Sequence, residues 1–293
     1  MRIANRPKMA LHCMKVSRMI NQNAFRCIAL STQRSQSTAT NDKLITTEVN
    51  SKTGFVTVSF NRPKAHNSFT LEMLQEFAST LDEVDSKNSR GMILTTTSEN
   101  VFTTGYDIKE LVDPDPERLW NLHATYLDCC HKLFYSLFPT AAAINGHAIG
   151  GGSYFAKACE YRVILPNCKI GMNETQLGIA IPKTAILTMK NIISAREVEK
   201  AVTFGYVYPS EEALKVGLVD EIATDKADAI AKCEAFLLKF RKVPPLARGL
   251  TKQYFRMNIA DMILAEKQKD VDVFVKSILD PKNQRVFKSF LSR

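Results

Sequence analysis

Acidic residues are absent from the first 41 positions of this 293-residue chain, although the whole sequence contains 30 of them. The same stretch holds seven basic residues, so residues 42–293 carry only +2 of the formal net charge of +9. The seven are Arg2, Arg6, Lys8, Lys15, Arg18, Arg26 and Arg34. A body this close to neutral lacks the basic patch interleaved with aromatic residues that indicates nucleic-acid binding.

The acid-free stretch, residues 1–41, has the composition of a mitochondrial transit peptide: basic, rich in Ser and Thr, and without acids. Arg26, Ile28 and Ser31 have the spacing of a matrix-processing site, with cleavage near Ser35. No apolar run in this stretch is long enough to span a bilayer. We therefore expect a protein of the mitochondrial matrix without a membrane span. A disordered tail that binds an acidic partner is the alternative.

Paired cysteines are also missing, because none of the seven cysteines stands in a CxxC spacing. Cys129, Cys130 and His131 are adjacent, so on a helix they point in different directions and cannot converge on one metal ion. The glycine triplet at 150–152 lacks both the Lys-Ser/Thr ending of a phosphate-binding P-loop and the spacing of a dinucleotide fingerprint. The sequence therefore predicts neither a disulfide framework nor a metal site.

Short apolar runs alternate with helical patterns as far as residue 196. Runs at 91–97, 140–145 and 161–165 have the length of buried parallel strands, and alternation before Pro63 predicts a further strand. Thr70 can cap a helix whose apolar positions recur every three or four residues. This alternation predicts an α/β architecture.

Long helical patterns dominate after residue 196. We expect residues 197–293 to be all-helical, with amphipathic faces suited to a subunit interface.

Three segments contain candidate functional residues. Gly150, Gly151 and Gly152 stand where an apolar strand gives way to a helix, and the free N–H groups of a helix start can face a ligand oxygen. The segment 101–111 is a second glycine-containing turn after a strand. Glu174 lies among apolar residues, and such surroundings raise the pKa of a carboxyl group so that it exchanges protons at neutral pH.

Five motifs, in the order NRPKAHNS, VFTTGYDIKEL, AAINGHAIGGGSYF, NETQLGIAIP and EEALKVGLVDEI, resemble the enoyl-CoA hydratase/isomerase (crotonase) family over about residues 48–293. The resemblance implies a ββα spiral with an α/β core at 42–196 and a helical oligomerisation region at 197–293, assembled as a homotrimer. It also implies an acyl-CoA substrate. No further cofactor is implied, because CoA arrives as part of the substrate.

The resemblance also assigns roles to single residues. The backbone N–H groups of Tyr106 and Gly151 are expected to bind the thioester oxygen, and a side chain at Gly151 is expected to obstruct that contact. The residues expected to line the thioester, the pantetheine and the acyl entrance are Thr104, Gly105, Tyr106, Asp107, Ile108 and Asn173. Lys109 and Lys252 are candidate contacts for CoA, with ordinary surface lysines as the alternative.

Hydratases of this family carry two glutamates, and the corresponding positions here hold Tyr154 and Glu174. Moving a double bond needs one base, which takes a proton from C2 and returns it to C4. The single glutamate therefore predicts isomerisation of a 3-enoyl-CoA to the 2-trans isomer, with Glu174 as acid and base. We interpret Tyr154 as a packing residue. The alternatives are a 2-enoyl-CoA hydratase and a non-catalytic relative that binds acyl-CoA or RNA.

Overall fold

A computed structural model describes residues 43–87 and 89–291, and two β-sheets organise them. In chain order the strands of these residues are β1 (Ile45–Val49), β2 (Val56–Phe60), β3 (Met92–Thr96), β4 (Val101–Thr103), β5 (Thr140–Ile144), β6 (His147–Ile149), β7 (Tyr161–Ile164), β8 (Lys169–Gly171), β9 (Val207–Pro209) and β10 (Glu221–Ile222). The larger sheet has the order β1-β2-β3-β5-β7-β10. Its strands are parallel except for β1, which pairs antiparallel with β2. This confirms the predicted α/β class.

The smaller sheet has the order β4-β6-β8-β9. Strands β4, β6 and β8 are parallel to one another, and β9 closes the sheet antiparallel to β8. Each of β4, β6 and β8 follows a strand of the larger sheet and leads into helical structure, so the chain repeats a strand-strand-helix unit. That repeat is the predicted ββα spiral.

The helices lie between and after these strands. They are α1 (Leu71–Ser86), α2 (Ile108–Leu111), α3 (Pro116–Phe134), α4 (Gly151–Ala158), α5 (Lys183–Lys190), α6 (Ala195–Phe204), α7 (Ser210–Lys215), α8 (Lys226–Leu238), α9 (Pro245–Ile278) and α10 (Pro281–Leu291). Thr70 caps α1 as expected, because its Oγ1 accepts a hydrogen bond from the backbone N of Met73 at 3.3 Å. Helix α3 packs between α1 and α9. No helix among the described residues is long and apolar enough to cross a bilayer.

The central strands bury both faces, which explains why they read as continuous apolar runs rather than alternating ones. In β3, Met92 and Leu94 face the main core, whereas Ile93 faces a second cluster under α8. The main core is rich in aromatic rings, and Phe60 and Phe155 lie at its centre, with edge-to-face contacts to neighbouring rings.

The C-terminal third is helical only in part. Strands β9 and β10 both lie after residue 196, and they pair with β8 and β7 respectively. The all-helical expectation for 197–293 is therefore wrong in this detail, although α8, α9 and α10 bear out a helical region from residue 226 onward. The proposed transit peptide at 1–41 lies outside the described residues.

Candidate active site

Three parallel strands of the smaller sheet end side by side, and a candidate site residue follows each of them. Gly105 follows β4, Gly150 follows β6 and Glu174 follows β8. The strands are in register through Thr103 opposite Ala148 and Ile149 opposite Gly171. Because carboxyl ends of parallel strands meet at one edge, segments about 45 and 24 residues apart in sequence converge there.

The turn before α4 presents a free amide. Gly150 adopts a φ of +61°, a conformation that favours glycine, and its N–H donates to the carbonyl of Gly171 at 2.8 Å. Gly151 is the first residue of α4, and its N–H has no acceptor among the described residues. The first amides of a helix lack intrahelical partners, so the N–H of Gly151 is free to bind a ligand oxygen.

The glycine triplet answers three separate steric demands. A Cβ on Gly152 would lie 2.3 Å from Cγ2 of Thr103 in β4, which no side chain can occupy. A Cβ on Gly151 would lie 3.2 Å from the hydroxyl of Tyr126, and one on Gly150 would lie 3.3 Å from Oε1 of Glu174. A side chain at Gly151 would thus crowd Tyr126, and its expected obstruction of the thioester oxygen stays a prediction.

The turn after β4 brings a second free amide to the same place. Gly105 has a φ of +85°, and a Cβ there would lie 3.2 Å from the N of Gly151. Phe69 holds the turn, because its N donates to Gly105 O at 2.8 Å and its O accepts from Asp107 N at 3.0 Å. The N–H of Tyr106, between these two bonds, has no acceptor within the described part of the chain. The structure thus brings together the two turns that carry the predicted amides.

Glu174 begins a short 3-10 helix, Glu174–Leu177, and points its carboxylate at the glycine turn. Its Oε1 is the atom nearest to the Cβ position of Gly150, whereas its Oε2 is buried without a hydrogen-bond partner among the described residues. Burial raises the pKa of this carboxyl group above its ordinary value, and the ammonium of Lys157 opposes the rise. A carboxylate in this state can both accept and return a proton near neutral pH.

An aromatic wall stands beside Tyr106, formed by His123 and Tyr126 of α3 and Phe274 of α9. The hydroxyl of Tyr106 lies 2.6 Å from Nδ1 of His123, and the His123 ring stacks on Phe274 with centroids 4.0 Å apart. Burial lowers the pKa of His123 to about 3, so its imidazole is neutral. The hydroxyl of Tyr126 donates to the carbonyl of Gly151 at 2.9 Å and so helps to fix the glycine turn.

This aromatic wall left no recognisable signal in the sequence. Its members lie on helices far apart in the sequence, and each one occupies an ordinary apolar position in a helical pattern. The periodicity of α3 marks His123 and Tyr126 as inward-facing, but it carries no sign of what they face.

Tyr154 packs in the core as expected. It is buried, its hydroxyl accepts a hydrogen bond from Oγ1 of Thr188 at 3.2 Å, and its ring contacts that of Tyr126. Burial raises the pKa of its phenol above the ordinary value, which makes it a still poorer base at neutral pH.

Asp107, predicted to line the substrate, has its carboxylate engaged within the fold. Its Oδ2 lies 2.6 Å from Nη1 of Arg62 and 3.2 Å from Oγ of Ser68, while Oδ1 accepts from Lys109 N at 3.0 Å. Burial acts to raise the pKa of Asp107, but the bonds from Arg62 and the Lys109 amide outweigh it and lower the pKa. The side chain thus anchors the turn that presents the N–H of Tyr106.

The remaining residues predicted to contact the substrate differ in their solvent exposure and in their contacts within the fold. Thr104 and Lys109 are exposed, and Lys109 forms no ion pair within the described residues. Ile108 is half-buried against the core. Asn173 precedes Glu174, and its Oδ1 lies 3.9 Å from the Cβ position of Gly150.

Lys252 lies in a different environment. It is buried, and its ammonium contacts Ser136 Oγ, the carbonyl of Phe138 and Glu160, all at 2.9–3.0 Å. A contact between Lys252 and CoA would require these bonds to break.

Neither a metal site nor the main cavity involves the candidate site residues in the described part of the chain. Among the described residues, no group of three or more His, Cys, Asp or Glu side chains is arranged to hold a metal ion. A cavity of about 670 Å³ opens beside Phe55, Arg90, Phe138, Phe240 and Arg248. It lies at the amino ends of β2, β3 and β5, and none of the candidate site residues lines it.

Known proteins resemble this chain over most of its length. The sequence profile described as enoyl-CoA hydratase/isomerase matches residues 50–293. Enoyl-CoA delta isomerase 1, mitochondrial, of Rattus norvegicus is 31% identical over 255 residues, which cover 86% of this chain and 88% of that protein. The Homo sapiens protein of the same name is 32% identical over 243 residues, which cover 82% of this chain and 80% of that protein.

Solved structures support the fold. The crystal structure of human mitochondrial delta3-delta2-enoyl-CoA isomerase superimposes with a TM-score of 0.80 at 30% identity, covering 85% of this chain and 97% of that one. The crystal structure of enoyl-CoA hydratase from Bacillus halodurans superimposes with a TM-score of 0.77 at 22% identity, covering 84% of this chain and 99% of that one. This similarity supports the fold alone.

Proposed function

Because this chain belongs to the enoyl-CoA hydratase/isomerase family, we propose that it is an isomerase that converts 3-cis- or 3-trans-enoyl-CoA into 2-trans-enoyl-CoA. The observation that carries the proposal is the placement of Glu174. Its Oε1 faces the glycine turn, whereas the buried Tyr154 occupies the position that holds a second glutamate in hydratases of the family. The relatives named as delta isomerases support the same reaction.

The proposed mechanism needs one base and one oxyanion site. The thioester oxygen accepts hydrogen bonds from the N–H groups of Tyr106 and Gly151. Glu174 removes a proton from C2, and the electron pair of that C–H bond moves toward the thioester oxygen as a dienolate forms. Glu174 then returns the proton to C4, the double bond settles between C2 and C3, and the carboxylate is restored. Amides already aimed at the oxygen stabilise the developing charge without reorganising.

Its physiological setting is part of the proposal. The acid-free basic segment at 1–41 and the mitochondrial relatives support a role in the mitochondrial matrix, in β-oxidation of unsaturated fatty acids. A homotrimer and the absence of any cofactor other than substrate CoA remain predictions from the family resemblance. Lys109, exposed and without an ion pair in the described chain, stays the candidate contact for CoA phosphate.

The proposal is tested by isomerase assays on 3-hexenoyl-CoA with the wild-type protein and Glu174→Gln. We expect kcat to fall by about 10²- to 10⁴-fold in the variant, the usual contribution of general acid-base catalysis, while acyl-CoA still binds. Glu199→Gln is the matched control and should leave kcat unchanged, because Glu199 is an exposed carboxylate whose one ion pair within the described residues is with Arg196.

Two outcomes would favour the alternatives. Faster hydration of crotonyl-CoA than isomerisation of 3-hexenoyl-CoA by the wild type would indicate a hydratase. Binding of acyl-CoA or RNA without turnover of either substrate would indicate a non-catalytic relative. A fully active Glu174→Gln variant would contradict the mechanism.

A further inference from the structure

A lysine on α4 is buried in a way that lysines rarely are. Lys157 is only 1% exposed, and its Nζ has no hydrogen-bond partner among the described residues. Lysine is almost never fully buried unless it is paired, because an ammonium that loses its hydration without compensation is strongly destabilised. The sequence offered no warning, since Lys157 stands in an ordinary helical segment three residues after Tyr154.

Glu174 has the complementary property. Its Oε2 is likewise buried without a hydrogen-bond partner in the described chain. Burial lowers the pKa of Lys157 and raises that of Glu174, and each group opposes the shift of the other through their opposite charges. Geometry also places them on one side of α4. Glu174 Oε1 approaches the Cβ position of Gly150, and Lys157 follows Gly150 by seven residues, about two helical turns, so it lies on the same face with its side chain leaning toward the helix N-terminus. The two groups form no direct ion pair within the described residues.

The side chains of Cys130, Tyr106 and Tyr126 interact directly with this pair, and all three are uncharged at neutral pH. Cys130 of α3 also faces Lys157, but burial raises the pKa of its thiol well above the ordinary value. The phenols of Tyr106 and Tyr126 lie near Glu174, and burial raises their pKa values in the same way. Glu174 is thus the anion that balances the charge of Lys157.

We propose, on the premise of the isomerase function above, that Lys157 is a positioning residue whose buried ammonium holds the Glu174 carboxylate ionised and ready to accept the C2 proton. A base must be ionised before substrate arrives, and burial of Glu174 alone works against that state. When the proton moves to Glu174, the negative charge moves to the thioester oxygen, and the ammonium remains nearby throughout.

The test is the pH profile of kcat/KM, whose rising limb reports the ionisation of the base in the free enzyme. In Lys157→Met the limb should move upward by about 1 pH unit or more, the usual effect of losing a close opposite charge. At pH values above the limb, kcat/KM should return to within a few-fold of wild type. Thr188→Val is the matched control: it removes the hydrogen bond to Tyr154 in the same region without removing a charge, and should leave the limb in place.

Two further variants keep the test decisive. Lys157→Gln should move the rising limb to higher pH, as Lys157→Met does. Lys157→Arg, which retains the positive charge, should keep the limb at the wild-type pH or lower. A limb that stays in place in the neutral variants, with kcat/KM lowered equally at every pH, would show that Lys157 only fills space. If neither neutral variant folds, a limb at higher pH in Lys157→Arg would overturn the proposal.

A readout without substrate separates this proposal from the function. Because the folded pKa of Glu174 is raised, its ionisation costs stability as the pH rises from its unfolded pKa to its folded pKa. In Lys157→Met this loss should extend to higher pH than in wild type, and Glu174→Gln added to that variant should abolish the difference. If isomerase activity is absent but this shift is found, the function fails and the electrostatic coupling stands.

Discussion

At the scale of single residues, the site depends on positions where the chain omits a side chain. Gly105 and Gly150 both adopt positive φ, and the Cβ positions of both point at atoms of the site, the N of Gly151 and Oε1 of Glu174. The sequence showed a glycine triplet in one turn and a single glycine in the other. It did not show which contact each one protects, because that depends on how the two turns meet in space.

Gly105→Ala tests the close approach of the two turns. The added methyl would lie 3.2 Å from the N of Gly151, so it should shield the amide that we propose binds the thioester oxygen. We expect kcat/KM to fall by about 10²-fold or more, the usual cost of losing one oxyanion donor. Steady-state assays with 3-hexenoyl-CoA measure the fall.

The control for this substitution is Gly54→Ala. Gly54 has a similar φ of +73°, but its Cβ would make only an ordinary contact at 3.5 Å with the side chain of Arg90. Both variants should lose about 1–2 kcal/mol of stability from left-handed backbone strain, and only Gly105→Ala should lose activity. Equal activity losses would show that strain, rather than the shielded amide, explains the effect.

At the scale of elements, short strands were harder to predict than long ones. Among the five-residue strands, β2 alternates buried and half-buried residues, whereas β3 and β5 are buried throughout, and the sequence predicted all three. Strands β9 and β10 contain three and two residues, and Pro209 ends β9. So short a segment has no detectable periodicity and is held by pairing with distant strands. The aromatic wall could not be predicted either, because it depends on contact between α3 and α9, which meet only in the folded chain.

The turn after β4 is held by an ion pair whose loss can be measured. Asp107→Asn keeps a side chain that can cap α2 but removes the charge facing Arg62. We expect the free energy of unfolding to fall by about 1–3 kcal/mol at pH 7, the range for a hydrogen bond to a charged group. Urea unfolding of both proteins at several pH values measures the difference.

The pH dependence of that difference has a definite sign. Because the folded pKa of Asp107 is lowered, its stabilisation is fully present above the unfolded pKa and is lost as the pH falls through the folded pKa. The difference in free energy of unfolding between wild type and Asp107→Asn should stay constant from pH 7 to 5 and become smaller only below about pH 4. Asp115→Asn, at the exposed cap of α3, should change stability by less than about 1 kcal/mol. A difference that stays constant below pH 4 would contradict the ion-pair explanation.

At the scale of the whole molecule, the topology brings the site together. After each of the parallel strands β3, β5 and β7 of the larger sheet, the chain continues into a strand of the smaller sheet. The three strands that follow, β4, β6 and β8, are neighbours in that sheet, so their ends lie side by side. Sequence motifs marked the three turns that follow these strands. That these turns lie together was predicted from the family resemblance alone, because no local sequence pattern encodes which strands are neighbours.

Charge is also distributed unevenly over the whole chain, and this distinguishes the acid-free basic segment from the nearly neutral remainder of the sequence. Residues 1–41 contain seven basic residues and no acids, while residues 42–293 carry a net charge of only +2. A fluorescent protein fused after residue 41 should therefore accumulate in mitochondria, because the inside-negative potential draws in the basic segment. Microscopy of living cells with a mitochondrial dye measures the overlap.

The control fusion replaces the seven basic residues with Gln and keeps the length and the Ser/Thr content. It should remain in the cytosol, as should residues 43–293 expressed without the segment. Cytosolic fluorescence from the unaltered fusion would favour the alternative of a tail that binds an acidic partner. Mitochondrial uptake of the Gln variant would show that features other than positive charge direct the chain, since the electrical driving force acts only on net charge.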